Sequence, residues 1–118
     1  MSGQRRRATA SRRLCRADEV VEGAARGFRF GSGADLEALL VVRKAGALYA
    51  YVNSCPHLGT PLDFLPDRFL DRDGEHLLCA THGARFRIAD GYCTDGPCFG
   101  KSLRPLPIRV EAGDILLD

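Results

Sequence analysis

Several things are scarce or missing in this chain of 118 residues. No run is long and apolar enough to cross a bilayer as a helix, so no membrane anchor is expected. No apolar segment follows the arginine pairs near the start, which argues against a secretion signal and leaves the cytoplasm as the expected location. Charge of one sign is scarce too: 17 Lys and Arg against 15 Asp and Glu leave +2, too little to point to a nucleic-acid partner. Much of the positive charge sits in Arg5, Arg6, Arg7, Arg12 and Arg13. Nothing aromatic or amphipathic lies near them, so residues 1–13 read as a solvated, disordered basic arm. There is no internal repeat, no long helix and no nucleotide-binding glycine motif. The five cysteines, Cys15, Cys55, Cys79, Cys93 and Cys98, are an odd number. In a cytoplasmic chain that argues against a disulfide framework and for metal binding or reactive thiols.

What is present fits one domain over residues 14–118. The 45% hydrophobic and 27% charged content is ordinary for a globular protein, and a core of this size gains from a cross-linking metal site. Strands are expected at Gly27 to Phe30, Glu37 to Arg43 and Leu48 to Val52, the last two joined by a turn at Lys44, Ala45 and Gly46. Pro61 to Gly74 reads as a long loop with a short helical turn around Asp67 to Asp71. Further strands are expected at His76 to Cys79, Arg85 to Ala89, Leu103 to Glu111 and Ile115 to Leu117, with turns at Asp90-Gly91 and Gly113-Asp114. Short strands separated by Gly and Pro turns make an all-β domain.

Two motifs stand out: Cys55-Pro56-His57-Leu58-Gly59 and Cys79-Ala80-Thr81-His82-Gly83. Each places a thiol and an imidazole in a loop after a strand, with a glycine within two residues of the histidine. Glycine permits a sharp turn and a close backbone approach to a metal, and N–H groups in such turns can donate to sulfur. One Cys near one His is commonplace, but two such pairs in matching settings indicate a metal. Two Cys and two His suit a tetrahedral zinc, and they suit equally a two-iron cluster in which His replaces two of four Cys ligands. Zinc fingers, however, pair like with like, whereas here each loop supplies one of each.

These motifs resemble the signature of Rieske proteins, Cys-x-His, a spacer, then Cys-x-x-His. The resemblance continues into Arg85-Phe86 and into Gly96-Pro97, which is similar to the proline loop that covers the cluster. It is best over residues 53–101, taken as the cluster-binding part. The spacer from Leu58 to Leu78 is longer than in many ferredoxin-type members. The resemblance implies a Rieske fold of small antiparallel sheets, with two hairpin-like loops on a β base. It also implies one [2Fe-2S] cluster, with Cys55 and Cys79 on one iron and His57 and His82 on the other through Nδ1. Leu58, Gly59, Thr60, Gly83, Ala84, Phe86, Gly96 and Pro97 would surround it. Neutral imidazoles in place of two thiolates make the oxidised cluster formally neutral, which raises its potential over an all-cysteine cluster. High-potential members add a disulfide where Thr60 and Thr81 stand here, and Ser and Tyr hydroxyl donors where Ala84 and Phe86 stand. Lacking these, the cluster is expected in the lower part of a range of roughly −150 to +300 mV.

With His57 and His82 spent, only His76 remains. A catalytic iron held by two His and a carboxylate cannot be built, so the chain is expected to be no enzyme. The expected role is electron transfer to or from an oxidoreductase partner, as a Rieske-type ferredoxin or a small subunit. The alternative is a zinc- or cluster-structured binding or redox-sensing module. Cys93 and Cys98 read as two buried or free thiols, or as a disulfide stapling the proline loop. Asp63, Asp67, Asp71 and Asp73 read as a solvated loop, since their spacing fits no calcium motif. Arg85, Arg87, Lys101 and Arg104 either steer an acidic partner or are ordinary surface charge.

Overall fold

β-Branched and aromatic residues in short runs, cut by glycine and proline, build three small antiparallel sheets in the computed structural model. It describes residues 12–31, 37–56, 59–63, 65–81 and 83–118. The strands in chain order are β1 (Arg12–Arg16), β2 (Ala25–Phe30), β3 (Glu37–Lys44), β4 (Ala47–Val52), β5 (His76–Leu78), β6 (Arg85–Arg87), β7 (Cys93–Asp95), β8 (Ile108–Glu111) and β9 (Asp114–Leu117). The sheets run β1-β9-β8, β2-β3-β4 and β5-β6-β7. Among the described residues the only helical element is one 3₁₀ turn, Ala17–Glu19.

The middle sheet explains why β3 is apolar without a break. Leu40 and Val42 point into one core, with Tyr51, Phe69, Leu77, Phe86 and the cysteines of the third sheet and its loops. Leu39 and Val41 point into another, with Cys15, Val20, Ala50 and Ile115. Successive side chains of a strand face opposite ways, so a strand covered on both faces needs apolar residues at every position. The β3–β4 turn places Ala45 and Gly46 at φ 52° and 81°, the paired left-handed conformation that suits a tight hairpin.

Three readings change. Arg12 and Arg13, assigned to the arm, lie in β1 and pair with Leu117 and Leu116; residues 1–11 lie outside the described residues. Asp67 to Asp71 forms no helical turn. Asp67 has φ 65°, and Leu70 instead bridges to Leu77. The strand expected over Leu103 to Glu111 shrinks to β8, because Pro105 and Pro107 lack the N–H a ladder needs.

Candidate metal centre

Two loops with the same backbone wiring carry the cysteines. In the first, after β4, the N–H of Cys55 donates to Thr60 O at 2.8 Å and the N–H of Gly59 to Cys55 O at 2.7 Å. In the second, between β5 and β6, the N–H of Cys79 donates to Ala84 O at 2.8 Å and the N–H of Gly83 to Cys79 O at 2.8 Å. Gly59 and Gly83 have φ 78° and 73°, so each closes its turn in a conformation that strains any other residue. Their role is conformational: at Gly83 a Cβ would meet no described atom within 4 Å, and at Gly59 only Ser54 Oγ at 3.8 Å. The chain therefore does contain a local repeat, and its trace in the sequence is the equal Cys-to-Gly spacing.

The loops are tied to each other and to the sheets. The N–H of Ala80 donates to Leu62 O at 2.9 Å, and that of Leu78 to Phe69 O at 2.7 Å. Buried Asn53 accepts the N–H of Leu62 at 2.7 Å and donates to Asp63 Oδ1 at 3.0 Å. A third loop follows β7. There Gly96 lies so close to the second loop that a Cβ would come within 2.8 Å of Ala84 Cα. Ala84 and Phe86 are fully buried and Pro97 is exposed.

Of the acidic set, Asp63, Asp67 and Asp71 accept hydrogen bonds, while Asp73 is exposed as a solvated loop residue would be. Asp67 Oδ1 accepts the N–H of Gly27 at 2.7 Å, and Asp63 Oδ2 that of Asp67 at 3.2 Å. Asp71 Oδ1 accepts the N–H groups of Glu75 and His76 at 3.1 and 3.2 Å, and its other oxygen stands 3.5 Å from both His76 Nδ1 and Arg85 Nε. Burial alone would raise the Asp71 carboxyl. The two N–H donors and the charges of His76 and Arg85 hold it below its ordinary value instead. Asp71 thus braces the turn into β5, the strand that delivers Cys79. Arg87 is likewise engaged, donating to Asp90 Oδ1 at 3.0 Å.

Both cysteine side chains are fully buried, at 0% exposure, while Gly59, Ala80, Thr81 and Gly83 beside them are exposed. Buried sulfurs on two matched loops fit a thiolate-bound metal group, whose positive charge offsets the cost of burying thiolates. Thr60 Oγ1 is buried with no partner among the described residues, and a sulfur acceptor would satisfy it. His57, His82 and Leu58 lie outside the described residues, and within those residues no three His, Cys, Asp or Glu groups form a metal cluster. Three sulfurs adjoin one another, of which sequence spacing had paired only Cys93 and Cys98. Cys93 and Cys98 have Sγ atoms 3.3 Å apart, and Cys98 is also in contact with Cys55. Burial, with the neighbouring Cys93 and Cys55 sulfurs adding to it, pushes the Cys98 thiol up to about 12.

A family model described as the Rieske [2Fe-2S] domain matches residues 11–109. The cytochrome b6-f complex iron-sulfur subunit of Chlorobaculum thiosulfatiphilum is 30% identical over 107 residues, covering 86% of this chain. The alignment spans 50% of that relative's length. The ferredoxin of carbazole 1,9a-dioxygenase from Nocardioides aromaticivorans IC177 superposes with a TM-score of 0.70 at 24% identity, covering 92% of this chain and 96% of that one. The terminal oxygenase of carbazole 1,9a-dioxygenase from Novosphingobium sp. KA1 gives 0.73 at 24% identity, covering 91% of this chain and 29% of that one. These structural likenesses are likenesses of fold.

Proposed function

The chain belongs to the Rieske [2Fe-2S] domain family, and on that premise we propose that Cys55, His57, Cys79 and His82 hold its one [2Fe-2S] cluster. The chain then passes single electrons to or from a protein oxidoreductase. The observation that carries this reading is the pair of identically wired loops, each burying one cysteine. The cluster, when bound, supplies a one-electron couple. The chain's own residues do the rest: the two glycine turns fix the cysteines, and the third loop shields them through Gly96 against Ala84.

The partner is a protein. One solved structure of similar fold is a complex of reduced oxygenase and oxidised ferredoxin in carbazole 1,9a-dioxygenase, and an oxygenase or reductase component is the class proposed here. Phe99, 68% exposed beside exposed Pro97 in the third loop, gives such a partner an apolar contact next to the cluster loops. We place the protein in the cytoplasm, where thiols stay reduced; among the described residues no helix is long and apolar enough to cross a membrane. The potential is low for a Rieske cluster, because the buried side chains of Ala84 and Phe86 offer no hydroxyl donor.

The test is electron paramagnetic resonance of the reduced protein, with metal analysis. About two irons per chain and a spectrum of mixed Cys and His ligation are expected. A spectrum typical of all-cysteine ligation, or colourless protein with about one zinc, overturns the ligand assignment. A midpoint well above about +100 mV overturns the low potential.

A further inference from the structure

Cys93 opens β7 and Cys98 lies in the third loop that follows it, with their Sγ atoms 3.3 Å apart and both side chains shut off from solvent. The backbone holds them there. The N–H of Cys93 donates to Lys101 O at 2.8 Å and that of Lys101 to Cys98 O at 2.9 Å. Within the loop, the N–H of Phe99 donates to Gly96 O at 3.1 Å and that of Gly100 to Cys93 O at 3.3 Å. The Cys93 thiol donates to Asp95 O at 3.1 Å, which leaves its sulfur as acceptor for the Cys98 S–H. Closing the pair to a bond of about 2.05 Å asks for a small movement of atoms already facing each other.

We propose that Cys93 and Cys98 are a second, two-electron redox site, a dithiol that closes to a disulfide and staples the third loop against the second cysteine–histidine loop. The step is exchange with a low-molecular-weight disulfide. The thiolate of one cysteine attacks the small disulfide and releases one small thiol; the other cysteine then attacks the mixed disulfide and releases the second. One S–S bond breaks and one forms, and the two cysteines lose the two electrons that the small disulfide gains. Their two protons end on the two released thiols. Because both sulfurs are buried, attack requires the third loop to lift, so the exchange rate reports loop opening. The lock bears on the cluster through Gly96, which rests on Ala84 at the end of the Cys79 loop. That consequence rests on the function proposed above; the disulfide itself does not.

The experiment equilibrates the iron-loaded protein in graded ratios of reduced to oxidised glutathione, quenches with acid, and alkylates the denatured chain for peptide mapping. Visible absorption and iron content are followed in the same samples. Cys93 and Cys98 are expected to lose alkylation together and to appear in one cross-linked peptide while iron stays at about two per chain. Cys93→Ser and Cys98→Ser should each abolish the cross-link and keep the iron. The proposal is overturned if both cysteines remain alkylatable at the most oxidising ratio, if each carries glutathione as a mixed disulfide, or if either pairs with Cys15, Cys55 or Cys79. Iron release that is no slower from the cross-linked protein than from the reduced one defeats the staple alone. Absence of iron from the purified protein defeats the earlier reading and leaves the cross-link to be scored on its own.

Discussion

Phe86 is fully buried on β6, its ring packed in the core that also holds Cys55 and Cys79. A phenol there would add a donor, and one hydrogen bond that favours the reduced cluster is worth about 1 kcal/mol, or ~40 mV for one electron. Phe86→Tyr should therefore raise the midpoint by roughly that amount, measured by redox titration; an unchanged midpoint in a folded, iron-loaded variant would show that the missing hydroxyl does not set the potential. The ligands answer to a cruder measure. Cys55→Ser, Cys79→Ser, His57→Ala and His82→Ala should each lose iron and visible absorption, because ligand loss removes binding free energy that is also folding free energy. His76→Ala should keep both, since His76 is engaged with Asp71. Retention of a stable cluster in any ligand variant would contradict that residue's role.

The two loop elements were legible in part. Cys, His and Gly spacing located both turns, because glycine is needed where φ is positive and that need is written in the residue itself. Hairpin β3–β4 was equally plain from Ala45-Gly46 and the apolar runs on either side. What was hidden depends on partners far along the chain. Asp71 reads as one carboxylate among several, yet it caps two N–H groups and faces Arg85. Arg12 and Arg13 of β1 read as arm because they are exposed, while Cys15 is buried in the same strand and Leu14 packs partly against that core. Two predictions belong at this scale. Gly96→Ala combines φ 97° with a 2.8 Å clash on Ala84 Cα and should cost about 1–3 kcal/mol in denaturant unfolding while speeding iron loss. Asp71→Asn should cost about 1 kcal/mol at neutral pH, because a charged acceptor of two N–H groups is replaced by a weaker one. The carboxyl of Asp71 is held below its ordinary 3.8 in the fold. Its contribution is therefore present above that value and is lost as pH falls through the lower folded value. The gap between wild type and variant should narrow as pH falls below 3.8 in paired denaturation curves; a gap that persists undiminished in acid would mean that the charge is not what braces the turn.

At the scale of the whole molecule, the cysteine loops depend on more than the strands they join. The middle sheet is apolar on both faces, so each of its cores steadies the other. The core holding Cys55 and Cys79 shares β3 and β4 with the core that β1 and β9 close. Strand β1 contributes Cys15, 3% exposed, and pairs with β9 from Arg16 to Arg12. Arg12 also caps the ring of Phe30 at 4.4 Å and reaches Glu37 at 3.3 Å. Without β1, the inner edge of β9 and the far face of the middle sheet meet water, and the strands that present the first cysteine loop lose their backing. A chain beginning at residue 17 should accordingly unfold at lower denaturant and release iron faster than one beginning at residue 12, although neither cut comes near the metal ligands. The single Cys15→Ala change removes only a small part of that core and should cost roughly 1 kcal/mol. Iron release that is the same for chains beginning at residues 12 and 17 would mean that the cluster half of the fold stands without the first sheet.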